Sequence, residues 1–175
     1  MLLSGMADSL DDSLWNTEVT AANYDAAGEK YQNAILEQYK IYVEMADRVS
    51  ARRTLANTFF LTINTAILSS IGIFWTNKPS GSVTWLAIPL AAVLTLCTAW
   101  FYILRSYRQL NSGKYKVVGA LETRLPASPY WRAEWAVLGE GADRSKYWPL
   151  THLERWIPVT FGIIYIVGFV LALVV

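Results

Sequence analysis

The chain has 175 residues, of which 54% are apolar and only 17% charged. Soluble domains carry about 25% charged residues, and a core of this size could not hide so much apolar surface from water. The composition therefore argues against a soluble protein and points to a membrane.

Residues 1–27 are small, polar and acidic and show no period, so they read as a flexible N-terminal tail. Leu10, Leu14 and Trp15 are its apolar exceptions. No basic n-region precedes an apolar stretch, so the first span itself is expected to act as the targeting signal. From residue 28 the pattern becomes helical. Ile35, Tyr39, Tyr42, Ala46 and Val49 step by four and three and share one helix face. The stepping continues through Arg53, Ala56, Phe60, Ile63 and Ile67 without a breaker. One helix is expected from about Glu29 to about Trp75. Its first part, 28–53, is cytoplasmic and its second part, 54–76, is the first span. At 1.5 Å per residue it is roughly 70 Å long. The tyrosine face of its cytoplasmic part should pack on segment 107–155, on another subunit, or on both.

Three runs free of charge, 54–77, 79–104 and 156–175, each reach the roughly 20 residues that a membrane helix needs. The spans are placed at 54–76, 84–104 and 156–175, joined by a periplasmic loop at 77–83 and a cytoplasmic helical region at 105–155. The chain is thus all-α, with three transmembrane helices and long helical cytoplasmic extensions. Of the 15 Lys and Arg residues, Lys78 alone falls on the far side of a three-span arrangement. The positive-inside rule then places the N-terminus in the cytoplasm and the C-terminus in the periplasm of a bacterial inner membrane. All 14 acidic residues share the side of the other basic ones. Their balance gives no basic patch for nucleic acid.

Span one is polar for a membrane helix. Thr54, Asn57, Thr58, Thr62, Asn64, Thr65 and Ser69 fall in an arc of roughly 160°. Such an arc serves either hydrogen bonding between helices or the lining of a hydrated pore. Span two carries Pro89 near its outer end, where a kink is tolerated. Trp100, Phe101 and Tyr102 read as an aromatic belt at its inner end. The helix should continue into the cytoplasm until Gly113, and a further helix over Lys114–Leu125 should stop at Pro126 and Pro129. A short helix follows over Tyr130–Leu138. Thr151 and Glu154 match a capping box that starts span three.

Chemistry leaves few marks. His152 and Cys97 stand alone, and a metal needs several converging ligands. No phosphate loop, dinucleotide fingerprint or nucleophile motif occurs. No catalytic, cofactor-binding or metal residue is expected. The carboxylates Glu122, Glu134, Glu140, Asp143 and Glu154 lie near basic residues and read as solvated ion pairs. The abundance of Trp and Tyr, 8 and 10 residues, points to self-assembly as a homo-oligomer in lipid.

The strings Ile35-Leu36-Glu37-Gln38-Tyr39-Lys40, Ala56-Asn57-Thr58-Phe59-Phe60-Leu61 with Asn64-Thr65, Arg105-Ser106-Tyr107-Arg108-Gln109-Leu110-Asn111, and Arg124-Leu125-Pro126 carry a family likeness. From about Tyr31 to Tyr165 the chain resembles the RipA family of octameric bacterial membrane proteins. The resemblance implies a homo-octamer and no catalytic residues. The expected function is a scaffold or interaction protein without enzymatic activity; the alternative is an oligomeric channel lined by the polar face of span one. The residues expected at subunit contacts or in a cavity are Tyr39, Tyr42, Arg52, Asn57, Thr58, Asn64, Thr65, Arg108 and Asn111.

Overall fold

A computed structural model describes residues 10, 12–24, 27–75, 86–141, 145–147 and 153–174. The loop expected at 77–83, His152 and the cap at Thr151 lie outside the described residues. Every regular element among the described residues is helical. Helix α1 spans Glu29–Trp75, 47 residues without interruption. Helix α2 spans Ala87–Glu122. Helix α3 spans Trp156–Val174. All three are long and apolar enough to cross a membrane.

Local chemistry explains the helix limits. Gly28 precedes α1 with φ of +71°, a left-handed conformation that costs glycine little. Pro89 is the third residue of α2, where a helix has no intrahelical N–H bond to lose. Pro158 occupies the same third position in α3. Gly113 does not break α2, which runs on to Glu122. A glycine inside a helix costs about 1 kcal/mol, and the flanking turns carry that cost here.

The chain divides into two compact units. One comprises residues 50–109 and 149–175, which contain the three uncharged runs. Its core is Phe60, Trp100 and Leu104, with Ile157 and Phe161 packed against it. Phe60 and Trp100 stack at 5.8 Å between ring centroids, and Phe161 lies 6.0 Å from Trp100 on the third helix. Trp100 is therefore a core residue with no exposed surface, and not a member of an interfacial belt.

The other unit comprises residues 1–49 and 110–148. Here Ile35 and Ala46 of α1 and Val118 and Leu121 of α2 are buried, Ala46 and Val118 line one cleft, and the Tyr39 hydroxyl reaches Glu122 of α2. The face predicted from the four-and-three spacing is thus the packed face, and its partner lies in the same chain. After α2 the chain makes a turn, then a π-helical segment Pro129–Glu134 and one α-helical turn Trp135–Val137. Gly139, at φ of +76°, ends this run. Residues assigned to a tail also make contacts. A 3-10 turn forms at Ala21–Asn23, and the Trp15 ring lies 3.5 Å from the guanidinium carbon of Arg124. Arg124 also donates to the Tyr31 hydroxyl at 3.2 Å.

Gly119 has a packing role. A β-carbon there would sit 2.5 Å from the Trp131 ring. The indole therefore lies directly on the helix backbone. Gly119→Ala should cost about 1–3 kcal/mol by overpacking. Denaturant unfolding in detergent will measure this, and the added Trp131→Ala change should remove most of the penalty specific to Gly119→Ala, since the clash needs both partners.

Candidate functional site

Two buried polar nodes organise the chain, one in each unit. The first lies in the membrane-spanning unit and is centred on Asn64, which has no exposed surface. Its amide Nδ2 donates to the Phe60 carbonyl one turn back at 2.8 Å. Its Oδ1 accepts from the Tyr165 hydroxyl on α3 at 3.1 Å and from the Cys97 thiol on α2 at 3.5 Å. The Tyr165 hydroxyl is shared with the Asn64 carbonyl, also at 3.1 Å. One amide thus joins all three spans. Two turns earlier, Asn57 Oδ1 accepts from the Trp100 indole N–H at 3.1 Å. Asn57 and Asn64 stack as their seven-residue spacing predicts, and both face the bundle of their own chain.

The hydroxyl part of the polar arc behaves differently. Thr54, Thr58, Thr62, Thr65 and Ser69 are largely on the surface of the single chain. Thr54 donates to the Ser50 carbonyl and Ser69 to the Thr65 carbonyl, each four residues back. A hydroxyl in a membrane helix can satisfy itself in this way. Arg52 is also exposed. Arg53 pairs with Glu154 at 3.7 Å, with both side chains largely buried.

The second node is Glu122, the last residue of α2 and only 2% exposed. The sequence reading of Glu122 as a solvated ion pair is incorrect. Its Oε1 accepts from the Tyr39 hydroxyl at 3.0 Å and the Tyr130 amide at 3.1 Å. Its Oε2 accepts from the Ser128 hydroxyl at 2.7 Å and the Trp131 amide at 2.9 Å. The two amides open the Pro129–Glu134 helical segment, whose first N–H groups have no intrahelical partner. The carboxylate therefore ties α1, α2 and this segment together. Burial pushes the Glu122 pKa up, but the hydrogen bonds from Ser128, Trp131, Tyr130 and Tyr39 outweigh it, leaving the group below its usual value of 4.5. Burial, reinforced by the Glu122 hydrogen bond and charge, pushes the Tyr39 phenol well above 10.0.

Composition alone could not reveal Glu122. The usable signal was local: an acid six residues before Ser128, with Pro129 opening the next helical segment. Tyr39, expected at a subunit contact or cavity, is a partner of this carboxylate. Tyr42 carries the Lys114 ammonium 4.6 Å above its ring, and Lys114 is itself buried. Arg108 and Asn111 are half-buried. The structure thus places Tyr39 and Tyr42 in one unit and Asn57 and Asn64 in the other. Thr58, Thr65 and Arg52 remain on the surface.

With every regular element among the described residues helical and three apolar spans, the chain is an all-α membrane protein. The model of the octameric membrane protein family (8xMP) matches residues 36–174, and the chain belongs to that family. The match bears out the octameric family named from the sequence, without carrying the name RipA. Self-association in a membrane follows from this membership. No curated protein and no solved structure matches the chain.

Replacing Glu122 with Gln keeps the shape and removes one acceptor. Each carboxylate oxygen receives one hydroxyl and one backbone N–H. The hydroxyls can turn to accept, but whichever oxygen becomes NH2 confronts a backbone N–H. Glu122→Gln should cost about 1–3 kcal/mol. The wild-type carboxylate has a lowered folded pKa, so its contribution is complete above 4.5 and is lost as pH falls through the folded value. Unfolding followed by tryptophan fluorescence should show this acid limb in wild type and not in Glu122→Gln.

In the spans, Tyr165→Phe removes the strongest donor to Asn64. It should cost about 0.6 kcal/mol, with about 1.7 as the upper end for such bonds in a bilayer. Thermal unfolding in detergent, with Asn64→Ala as the second arm of a double-mutant cycle, will read the coupling.

Proposed function

We propose that the protein is a subunit of a homo-octameric scaffold in a bacterial inner membrane, without catalytic activity. Its N-terminus and residues 105–155 lie in the cytoplasm, and its C-terminus lies in the periplasm. The observation that carries the scaffold reading is the use of Asn57 and Asn64 inside their own bundle. These amides are the most polar groups in the spans, and they are spent on packing the subunit. The arc on span one needs no water-filled axis to account for them.

Lipid is the expected neighbour of the apolar surface around the spans. Leu55, Phe59 and Ile88 are exposed there on the single chain. The distribution of Lys and Arg supports the orientation through the positive-inside rule. The near-zero balance of charge outside the spans supports protein and lipid partners over nucleic acid.

A channel is the second reading, and the hydroxyls of Thr58 and Thr65 at the surface of span one favour it. Eight copies could turn this stripe toward a common axis. The backbone bonds made by Thr54 and Ser69 weigh on the other side, since they leave the stripe equally suited to close contact between helices.

Reconstitution separates the two readings. Native mass spectrometry from nanodiscs should give eight subunits, and liposomes carrying the assembly should release neither potassium nor a small entrapped dye. Solute flux that falls when Thr58 and Thr65 are changed to Leu would replace the scaffold by the channel. A monomer in nanodiscs and mild detergent would remove both.

A further inference from the structure

The water-facing part of α1 has two contrasting sides. Ile41 and Met45 are 56% and 45% exposed, although neighbouring charges such as Lys40, Glu44 and Arg48 keep this stretch out of lipid. Together with Arg48 they form an apolar ridge with a cationic edge. The Arg48 side chain is 70% exposed and held by Glu44 of the same helix.

A cleft of about 740 Å³ opens elsewhere on the same unit. Tyr39 and Val43 of α1 line it, with Tyr115 and Val118 of α2 and Tyr130 beyond. Lys40, Glu44 and Asp47 also line it, two acids to one base. Burial, aided by the charges of Glu134 and Asp47, pushes the Tyr115 phenol above its ordinary value. At 100° per residue, the α1 residues of the cleft centre roughly 150° from the ridge of Ile41, Met45 and Arg48, with Glu44 between the two.

Two different faces are what a closed ring of identical subunits requires. A ring contact is heterologous, so each copy must present one surface and receive another. We propose that the Ile41–Met45 ridge of one subunit seats in the tyrosine-lined cleft of the next, with Arg48 of the ridge beside Asp47 of the cleft. A second copy is the occupant for three reasons. The chain belongs to an octameric family. The cleft lining carries two acids to one base, and the ridge ends in the exposed Arg48. Both remain uncovered on the single chain in a segment that lipid cannot reach. Ring closure then covers every ridge and every cleft at once. This interface rests on the oligomeric reading above and adds which surfaces meet.

Cysteine pairing tests it on the full-length protein in native membranes, in a Cys97→Ala background. Ile41→Cys with Tyr115→Cys and a short bismaleimide should give a ladder of bands rising to the octamer. Neither single variant should pass the monomer. Dimers from Ile41→Cys alone would mean that ridge meets ridge, and would overturn the proposal. Native mass spectrometry of the double variant separates the remaining failures. An octamer without a ladder refutes this interface and leaves the oligomer standing, whereas a monomer refutes both. As a second measurement, Met45→Lys should lower the octamer fraction at least tenfold with helicity unchanged by circular dichroism. An octamer fraction that stays at the wild-type level would also overturn the proposal.

Discussion

A primary amide cannot satisfy itself in a lipid-filled interior, and the arrangement of the spans follows from where two such amides find partners. Asn64 has two donor hydrogens and two acceptor sites to fill. Its own helix offers only the Phe60 carbonyl. The remaining acceptor capacity must be met from outside α1, and Tyr165 and Cys97 meet it from the other two spans. This fixes the rotation of α1: with Asn64 and Asn57 turned inward, Phe60 stacks on Trp100. The aromatic core is therefore in register with the polar node. Each bond is worth well under the cost of leaving the group unpaired in hydrocarbon, so the node acts as a constraint on geometry more than as a source of stability.

The other unit obeys the same rule with a charge in place of an amide. Glu122 is buried with four donors around it and needs no bound cation for its hydrogen bonding. Two of those donors are the otherwise unpaired amides at the start of the next helical segment. The carboxylate caps that segment from the end of the preceding helix, where the partial positive charge of a helix N-terminus favours an anion. Ser128, placed just before Pro129, adds its hydroxyl to the same carboxylate. The turn after α2 is thereby held by its first and last residues together. Gly119 completes it by letting the Trp131 ring rest on the helix.

Much of the fold was legible because period and charge are long-range signals. The uncharged runs located the spans, and the four-and-three spacing of Ile35, Tyr39, Tyr42 and Ala46 located the packed face of α1. Individual roles were less legible where two physical readings share a residue type. Trp100 sits beside Phe101 and Tyr102 near the end of a span, as belt residues do, yet it is the core residue that reaches Asn57. Glu122 lies two positions from Arg124, which suggests an ion pair. Arg124 instead meets Trp15 and Tyr31. Sequence distance alone cannot say that Arg124 turns away while residues 128–131 fold back to the carboxylate. Gly113 looked like a helix end, but one glycine cannot stop a helix whose neighbours on both sides favour it.

The difference between amides and hydroxyls gives the polar arc of span one its meaning. Both kinds of residue occupy one arc in the sequence, and hydropathy does not separate them. Their hydrogen-bonding chemistry does. Thr95 and Thr98 on α2 and Thr160 on α3 donate to carbonyls four residues back, as Thr54 and Ser69 do on α1. A threonine or serine so bonded presents a small, nearly apolar surface, and its position says little about water. Asparagine has more hydrogen-bonding capacity than one carbonyl can fill, so its position does identify a partner. In this chain Asn57 and Asn64 mark contacts within the subunit. Thr54 and Ser69 occupy the adjacent surface with their hydroxyls already bonded to their own helix. That division suits an assembly in which the asparagines of span one are bonded within each subunit before it meets its neighbours.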